Sequence, residues 1–231
     1  MKRLRWVDEC LSWIAPPRCE TCGADDAEHG LCRRCVGDLP WNRNCCPRCA
    51  QPLTVSTLCR RCLRRAPAFD SASAAFRYEG VAQLGVVRLK YAARFEQSRR
   101  LGGLMAQQLA ARPQPLPELL IPVPLPRWRL YRRGYNQALE IARAMARVLA
   151  IEVAADAAQL RRVPADQIGQ SAAQRRRNLR DAFTVSRPLW GMHVALVDDV
   201  MTTGATLDAL ARATRKAGAA HIEAWALARA P

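Results

Sequence analysis

No cysteine lies beyond Cys62 in a chain of 231 residues. No apolar run reaches the length that a bilayer demands, which excludes a spanning helix. The opening stretch "MKRLRWVDECLSWIAPPRC" is basic and partly apolar, but Asp8 and Glu9 interrupt it and no small-residue cleavage site follows. No export signal is therefore expected, and a cytoplasmic location is. The chain has no GxxxxGK[ST], and its one adjacent glycine pair, Gly102–Gly103, is not part of a GxGxxG between strand and helix. The common nucleotide-binding loops are thereby excluded. Acid is scarce too: 20 Asp+Glu against 36 Lys+Arg give a formal charge of +16 and a pI near 10.3. Such a balance favours anionic partners, namely nucleic acid, a polyphosphate metabolite or a membrane surface, with a merely solvated basic surface as the simplest alternative.

Cysteine is abundant where it occurs. Ten cysteines fall at positions 10, 19, 22, 32, 35, 45, 46, 49, 59 and 62, and eight of them form "CETC", "CRRC", "CPRC" and "CRRC". Each cysteine of the first two pairs recurs 27 positions later, so CxxC-x9-CxxC is present twice. A CxxC turn sets two thiolates on one side of a tight knuckle, and a second knuckle closes a tetrahedral sulfur shell around Zn²⁺. Two zinc sites account for all eight, with sequential pairing (Cys19, Cys22, Cys32, Cys35 and Cys46, Cys49, Cys59, Cys62) favoured over interleaved. Disulfides would need an oxidising compartment. Four thiolates leave no open coordination position, so the zinc is structural, and in so short a segment it supplies folding energy on the order of 10 kcal/mol per site. Cys10 and Cys45 are expected as small buried residues, and His29 at the surface. The composition changes at "LRRAPAFDS", which sets the expected domains at 1–66 and 67–231.

Strand and helix patterns alternate through the larger part. "AAFRYEG" (74–80) reads as a strand and turn. The stretch from Val81 to Arg112 reads as helix broken near Ala92 and again at Gly102–Gly103. Leu119 to Val123 suits a buried parallel strand, followed by a loop carrying Arg127, Arg129, Arg132 and Arg133. Asn136 caps a helix over about 137–150 whose apolar residues Ile141, Met145, Val148 and Leu149 share a face. Residues 166–183 read as a polar loop with a helical turn. A strand at 194–197, a loop, a helix over about 205–217 and a strand at 221–228 complete a β-loop-α-β unit. The fold class is therefore α/β, a doubly wound parallel sheet with a cysteine-rich appendage.

In such sheets ligands bind beyond the carboxyl ends of strands, where "VALVDDVMTTGAT" (194–206) places Asp198 and Asp199. Adjacent carboxylates are costly to desolvate at the end of an apolar strand unless they accept hydrogen bonds. Thr202, Thr203 and Thr206 supply hydroxyls, Gly204 and Ala205 allow close backbone approach, and a helix N-terminus follows to favour phosphate. A diol acceptor beside a phosphate cradle describes a sugar-phosphate site, and a ribose 5-phosphate fits the spacing.

This segment resembles the phosphoribosyl-pyrophosphate (PRPP) motif of type I phosphoribosyltransferases. With its cysteine-rich front, "IPVPLPRWRLYRRGYNQALEIA" (121–142) and "DQIGQSAAQRRRNLRDAF" (166–183), the whole chain resembles the ComF family of competence-associated proteins. Gln170 and Gln174 depart from the family pattern. The resemblance implies a type I phosphoribosyltransferase-like sheet behind a double zinc ribbon. It implies that Asp198 and Asp199 take the ribose hydroxyls and that residues 202 to 206 take the 5′-phosphate, with Mg²⁺ bound alongside PRPP. Arg133, in "RRGYNQ", is the first choice for pyrophosphate over a merely solvated Arg-rich turn, and Arg175, Arg176 and Asn178 belong either to a loop that closes over the site or to a polar insertion. Two functions stay open at this point. One is a phosphoribosyltransferase of unassigned acceptor. The other is a factor for DNA uptake or use, in contact with single-stranded DNA or uptake-machinery proteins, whose PRPP site regulates rather than catalyses. For the latter, "RWRLYRRGY" interleaves Trp128, Tyr131 and Tyr135 with arginines, as base stacking plus phosphate contact requires; the alternative is a Trp128 packed in the core.

Overall fold

Short apolar runs bounded by proline, glycine and charge become strands. The computed structural model describes residues 18–25, 27, 30–80, 82–85, 95–161 and 181–231. Its strands are Ser71–Arg77 (β1), Leu119–Pro122 (β2), Glu152–Val153 (β3), Ala158–Leu160 (β4), Phe183–Val185 (β5), His193–Met201 (β6) and His221–Arg229 (β7). Five of them form a sheet in the order β1-β7-β6-β2-β3, parallel throughout, while β4 and β5 pair antiparallel. The helices are Arg33–Gly37 (α1), Arg60–Arg64 (α2), Phe95–Ala110 (α3), Arg127–Arg133 (α4), Gln137–Leu149 (α5) and Ala205–Lys216 (α6).

The chain divides into two compact units, Met1–Leu39 and Pro40–Pro231. The sequence repeat and the compact units therefore have different boundaries, because the second pair of knuckles belongs with the sheet. The backbone explains why. Residues 40–47 run beside edge strand β1, with Asn42 N–H donating to Ala75 O (2.9 Å), Arg77 N–H to Pro40 O (2.7 Å) and Ala72 N–H to Pro47 O (3.1 Å). An edge strand left open would expose unpaired backbone groups, and this segment covers it.

The order of connections defines where a ligand can enter. From β2 the chain crosses through α5 to β3 on one side; from β6 it crosses through α6 to β7 on the other. Right-handed crossovers in opposite directions put α5 and α6 on opposite faces, so the switch point lies between β2 and β6. Central strand β6 buries Val194, Ala195, Leu196 and Val197 completely. Asn136 caps α5, its side chain accepting from Ala138 N–H (3.0 Å), and Ile141, Met145 and Leu149 are buried along one face.

Two expectations are corrected. Helix α3 runs unbroken through Gly102 and Gly103. A Cβ on Gly102 would lie 3.0 Å from the Ala144 Cβ and 3.3 Å from the Ile141 carbonyl, so the glycine is a packing surface for α5 rather than a break. The arginine-rich segment after β2 is helix α4, entered after Pro126 and closed by Gly134 at φ 77°, not a loop. The expected break near Ala92 and the bulk of 166–183 lie outside the described residues.

At the amino ends of β6 and β7, Glu223 is 3% exposed and collects four hydrogen bonds. Arg112 donates to both oxygens (2.6 and 2.8 Å), the Trp225 indole N–H to Oε2 (2.7 Å), and His193 Nε2 lies 2.9 Å from Oε1. Burial pushes the Glu223 carboxyl up, but the Arg112 and Trp225 bonds outweigh it and hold it below its usual range. A lowered carboxyl contributes stability that is present above its unfolded pKa, about 4.3, and lost as pH falls through the lower folded value. Glu223→Gln, which strands the Arg112 charge, is expected to cost about 3 kcal/mol at pH 7 in urea unfolding. The gap from wild type should narrow progressively as the pH is taken below about 4.

Candidate functional site

The structure carries β6 beyond the expected 194–197, through both aspartates to Met201. Its neighbour β2 pairs only as far as Pro122 opposite Val197, so on that side Asp198 and Asp199 stand past the end of the adjacent strand. On the other side β7 continues beside them, Asp198 opposite Ala226 and Val200 opposite Ala228. The acid pair thus occupies the open end of the switch point. Each carboxylate accepts the next backbone N–H, Asp198 Oδ1 from Asp199 (2.8 Å) and Asp199 Oδ1 from Val200 (2.6 Å). These bonds offset part of the desolvation and fix both side chains close to the strand.

Thr202 is exposed and Thr203 half-buried in the turn that follows. The Thr203 hydroxyl accepts from Ala205 N–H (3.3 Å). Gly204, at φ 73°, is the cap residue of α6, a left-handed conformation that most side chains resist. Ala205 and Thr206 then form the first turn of a twelve-residue helix, whose free N–H groups and dipole favour an anion.

Arg133 is the last residue of α4, half-buried, and donates to Gln137 Oε1 (3.3 Å). Asn136 ties this region to the sheet through Nδ2–H to Val123 O (3.0 Å), and Val123 N–H in turn donates to Val197 O (2.9 Å). Arg133 and the acid pair are therefore carried by the two segments that leave the switch point in opposite directions. Gln137 is buried, and its Nε2 has no hydrogen-bond partner among the described residues. Arg175, Arg176, Asn178, Gln170 and Gln174 lie outside the described residues, as do Cys10 and His29. Trp128 is 39% exposed, so it is not a core residue, and Arg129 and Arg132 stack over its ring at 4.9 and 5.9 Å. Tyr131 is 94% exposed, while Tyr135 is buried.

The eight cysteines gather in sequential fashion. The ligand atoms of Cys19, Cys22, Cys32 and Cys35 lie within 4.8 Å of one another, and so do those of Cys46, Cys49, Cys59 and Cys62. Cys22 and Cys32 sulfurs are 3.6 Å apart, as are those of Cys49 and Cys59. A tetrahedron with Zn–S bonds of about 2.3 Å has edges of about 3.8 Å, so both clusters fit Zn²⁺. One thiolate in each cluster is favoured in place, while burial and neighbouring sulfurs push Cys22, Cys35, Cys49 and Cys62 up: the Cys32 N–H, followed by those of Cys22 and Thr21, lowers Cys19 to about 6. Burial pushes Cys46 up, yet the N–H groups of Cys59, Arg48 and Cys49 bring it down to about 7. Cys45 stands outside both clusters, half-buried and paired with Pro52 in an isolated bridge.

Arg61 and Arg229 are the site-adjacent residues that motif reasoning passes over. The Arg229 guanidinium, 2% exposed, donates to Cys49 O (3.1 Å), Met201 O (3.0 Å) and Gln51 Oε1 (2.5 Å). Arg61 Nη2 donates to the Thr203 carbonyl. A recess of about 200 Å³ beside the turn is lined by Arg61, Arg65, Thr203, Ala205 and Asp208. A larger cavity, about 710 Å³, lies at the opposite end of the strands beside His193, His221 and Glu223. Those three side chains have the donor types for a metal, but both Glu223 oxygens are already filled, so the cluster is an ion-pair network.

A parallel sheet with an acid pair and a threonine-rich turn into a helix at its switch point, together with cysteine knuckles, defines a phosphoribosyltransferase-like protein with a double zinc ribbon. Residues 10–63 match the double zinc ribbon domain family, and residues 136–231 match the phosphoribosyl transferase domain family. The chain is 35% identical over 205 residues to the DNA utilization protein YhgH of Escherichia coli O157:H7, covering 87% of this chain and 90% of that one. It is 34% identical over 215 residues to competence protein F of Haemophilus influenzae, covering 88% and 92%. The chain belongs to the ComF family that these proteins represent. Among solved structures, the glutamine PRPP amidotransferase from B. subtilis aligns with 56% of this chain and 26% of its own, at 21% identity and a TM-score of 0.39.

The two clusters set a stoichiometry. Elemental analysis of the purified protein is expected to give about two zinc per chain, and Cys22→Ser or Cys49→Ser about one each. Since zinc must displace protons from thiols, its release on titrating toward acid should be progressive, with no release on raising pH from 7 to 8.

Proposed function

We propose that this protein binds PRPP together with Mg²⁺ at residues 198–206 and acts in the uptake or use of external DNA. The observation that carries the reading is the acid pair at the open end of β6, followed without interruption by the turn into α6. In this reading Asp198 and Asp199 accept hydrogen bonds from the 2′ and 3′ hydroxyls of ribose. Thr202, Thr203 and Thr206 donate hydroxyls to the 5′-phosphate, and the backbone at Gly204 and Ala205 approaches it closely. Arg133 faces the pyrophosphate, its guanidinium steadied by donation to Gln137 Oε1. Carboxylates at the ribose and phosphate oxygens are the ligands a hard, partly hydrated Mg²⁺ takes, and the ion would neutralise pyrophosphate charge. If PRPP turns over, charge developing at the ribose C1 is stabilised by the neighbouring carboxylates. The part in DNA use rests on the family relatives' names and on the basic charge. Eight thiols used as metal ligands call for a reducing compartment, the cytoplasm.

A second reading concerns DNA itself. Helix α4 displays Trp128, Leu130 and Tyr131 to solvent among Arg127, Arg129 and Arg132. Guanidinium groups stacked on an indole, next to an exposed phenol, make a platform for unpaired bases and their phosphates. In this reading the PRPP site tunes DNA binding as a sensor, and PRPP turnover in the presence of an acceptor would mark it as an enzyme centre instead.

Calorimetry with PRPP and Mg²⁺ is expected to give one site per chain, and Asp198→Asn or Asp199→Asn at least tenfold weaker binding with unchanged circular dichroism. No heat of binding at millimolar PRPP would end the reading. For α4, single-stranded DNA binding followed by anisotropy is expected to weaken linearly in log[salt], with a slope of about −0.7 for each phosphate contacted. Trp128→Ala and Tyr131→Ala should weaken it several-fold and leave PRPP binding intact. Binding that ignores salt or both aromatics would remove α4 from the interface.

A further inference from the structure

The second pair of cysteine knuckles is stitched to the anion-receiving turn at three places. Arg229 spans them: its Nε–H donates to the Cys49 carbonyl within the knuckle and its Nη1–H to the Met201 carbonyl, where β6 ends and the turn begins. Arg61, between ligand residues Cys59 and Cys62, reaches the Thr203 carbonyl inside the turn. Just past the knuckle, Ala68 N–H donates to Asp208 Oδ1 (2.7 Å) in the first turn of α6. The fit is close at the apex as well, since a Cβ on Gly204 would sit 3.8 Å from Arg61 Nη2.

The direction of these bonds matters. Each guanidinium donates to a carbonyl of the segment that delivers the free N–H groups. When the Thr203 carbonyl is held toward Arg61, the peptide plane it shares with Gly204 is fixed, because that plane is rigid. The Gly204 N–H then points away from Arg61. Gly204 at φ 73° is the most permissive residue of the segment, so without such a hold its backbone has the widest choice of conformations. Preorganised donors bind an anion with less ordering cost than mobile ones.

We propose that Arg61 is a positioning residue of the PRPP site: carried on the second metal knuckle, it orients the 203–204 peptide, so that the integrity of the cysteine cluster sets affinity for the ribose phosphate. This rests on the PRPP reading for its ligand, but its structural half does not. The first pair of knuckles, which carries Arg34 at the equivalent place of the repeat, belongs to the other compact unit.

The experiment uses the full chain in three forms: wild type, Arg61→Ala and Arg61→Lys. Zinc content is measured for each by elemental analysis, amide hydrogen exchange is followed over residues 202–206 without ligand, and PRPP·Mg²⁺ affinity is measured by calorimetry. The expectation for Arg61→Ala is two zinc retained, exchange at Gly204 to Thr206 roughly tenfold faster, and PRPP affinity roughly tenfold weaker. Arg61→Lys, which keeps a cationic donor, is expected to recover part of both. Unchanged exchange in Arg61→Ala with zinc intact overturns the proposal whatever the ligand does. Faster exchange with no PRPP binding even in wild type leaves the positioning role standing and overturns the PRPP reading. Faster exchange with unaltered PRPP affinity overturns the link to binding. Should Arg61→Ala lose zinc, Arg61→Met, which keeps most of the side chain's length on the knuckle but has no donor, decides instead: two zinc retained with faster exchange at Gly204 to Thr206 supports the brace, and two zinc with unchanged exchange overturns it.

Discussion

A buried positive charge joins the second cysteine knuckle to the carboxyl end of the central strands. The Arg229 guanidinium closes β7, has almost no access to water, and finds carbonyls and one amide oxygen instead of a carboxylate. A buried cation without an anion is expensive. The missing negative charge is supplied by the neighbouring cysteine cluster, where four thiolates around one Zn²⁺ leave net negative charge beside Cys49. The cluster and the sheet therefore stabilise each other electrostatically as well as through backbone bonds. Loss of one leaves the other with an uncompensated charge.

That constraint explains why the second knuckle pair belongs to the sheet unit even though it repeats the cysteine spacing of the first. "LCRRC" occurs at 31–35 and again at 58–62, and the second copy shares its knuckle pair with residues 40–47, which backbone bonds at Asn42, Ala72 and Arg77 tie to β1. Ala50, in the left-handed conformation at φ 54° behind Cys49, is fully buried in the same core as β2, β6 and β7. The knuckle is thus part of the hydrophobic core as well as a metal clasp.

How much of this was legible in the sequence follows from the range of each interaction. The cysteine knuckles, the N-cap at Asn136 and the apolar run ending in Asp198–Asp199 are local patterns, and each appears where its pattern puts it. Gly102–Gly103 reads as a break because its neighbour is invisible: Ala144 lies more than forty positions along, and contact with α5 turns the helix-weakening Gly102 into a packing surface. The α4 segment reads as a loop because it lacks apolar period; it is a short helix with no buried residue, entered after Pro126 and closed by Gly134. Arg61 is indistinguishable from Arg34 in the repeat, and nothing around Arg229 marks it except a charge at the end of an apolar strand. Both act across more than a hundred residues, to Thr203 from one and to Cys49 from the other.

The acid pair finally shows how the strand's own geometry accommodates its charge. Val194 to Val197 need neighbours on both sides, and have them. Beyond Val197 the β2 partner stops while the β7 partner continues, so β6 keeps its extended backbone and loses its cover on one side only. Carboxylates placed one residue earlier would face the buried sheet interior; placed four residues later they would crowd the start of α6. Asp198 and Asp199 occupy the interval where the backbone is still rigid and the edge is already open. Rigid placement without full burial is what a group needs if it is to accept hydrogen bonds from a ligand rather than from the protein's own core.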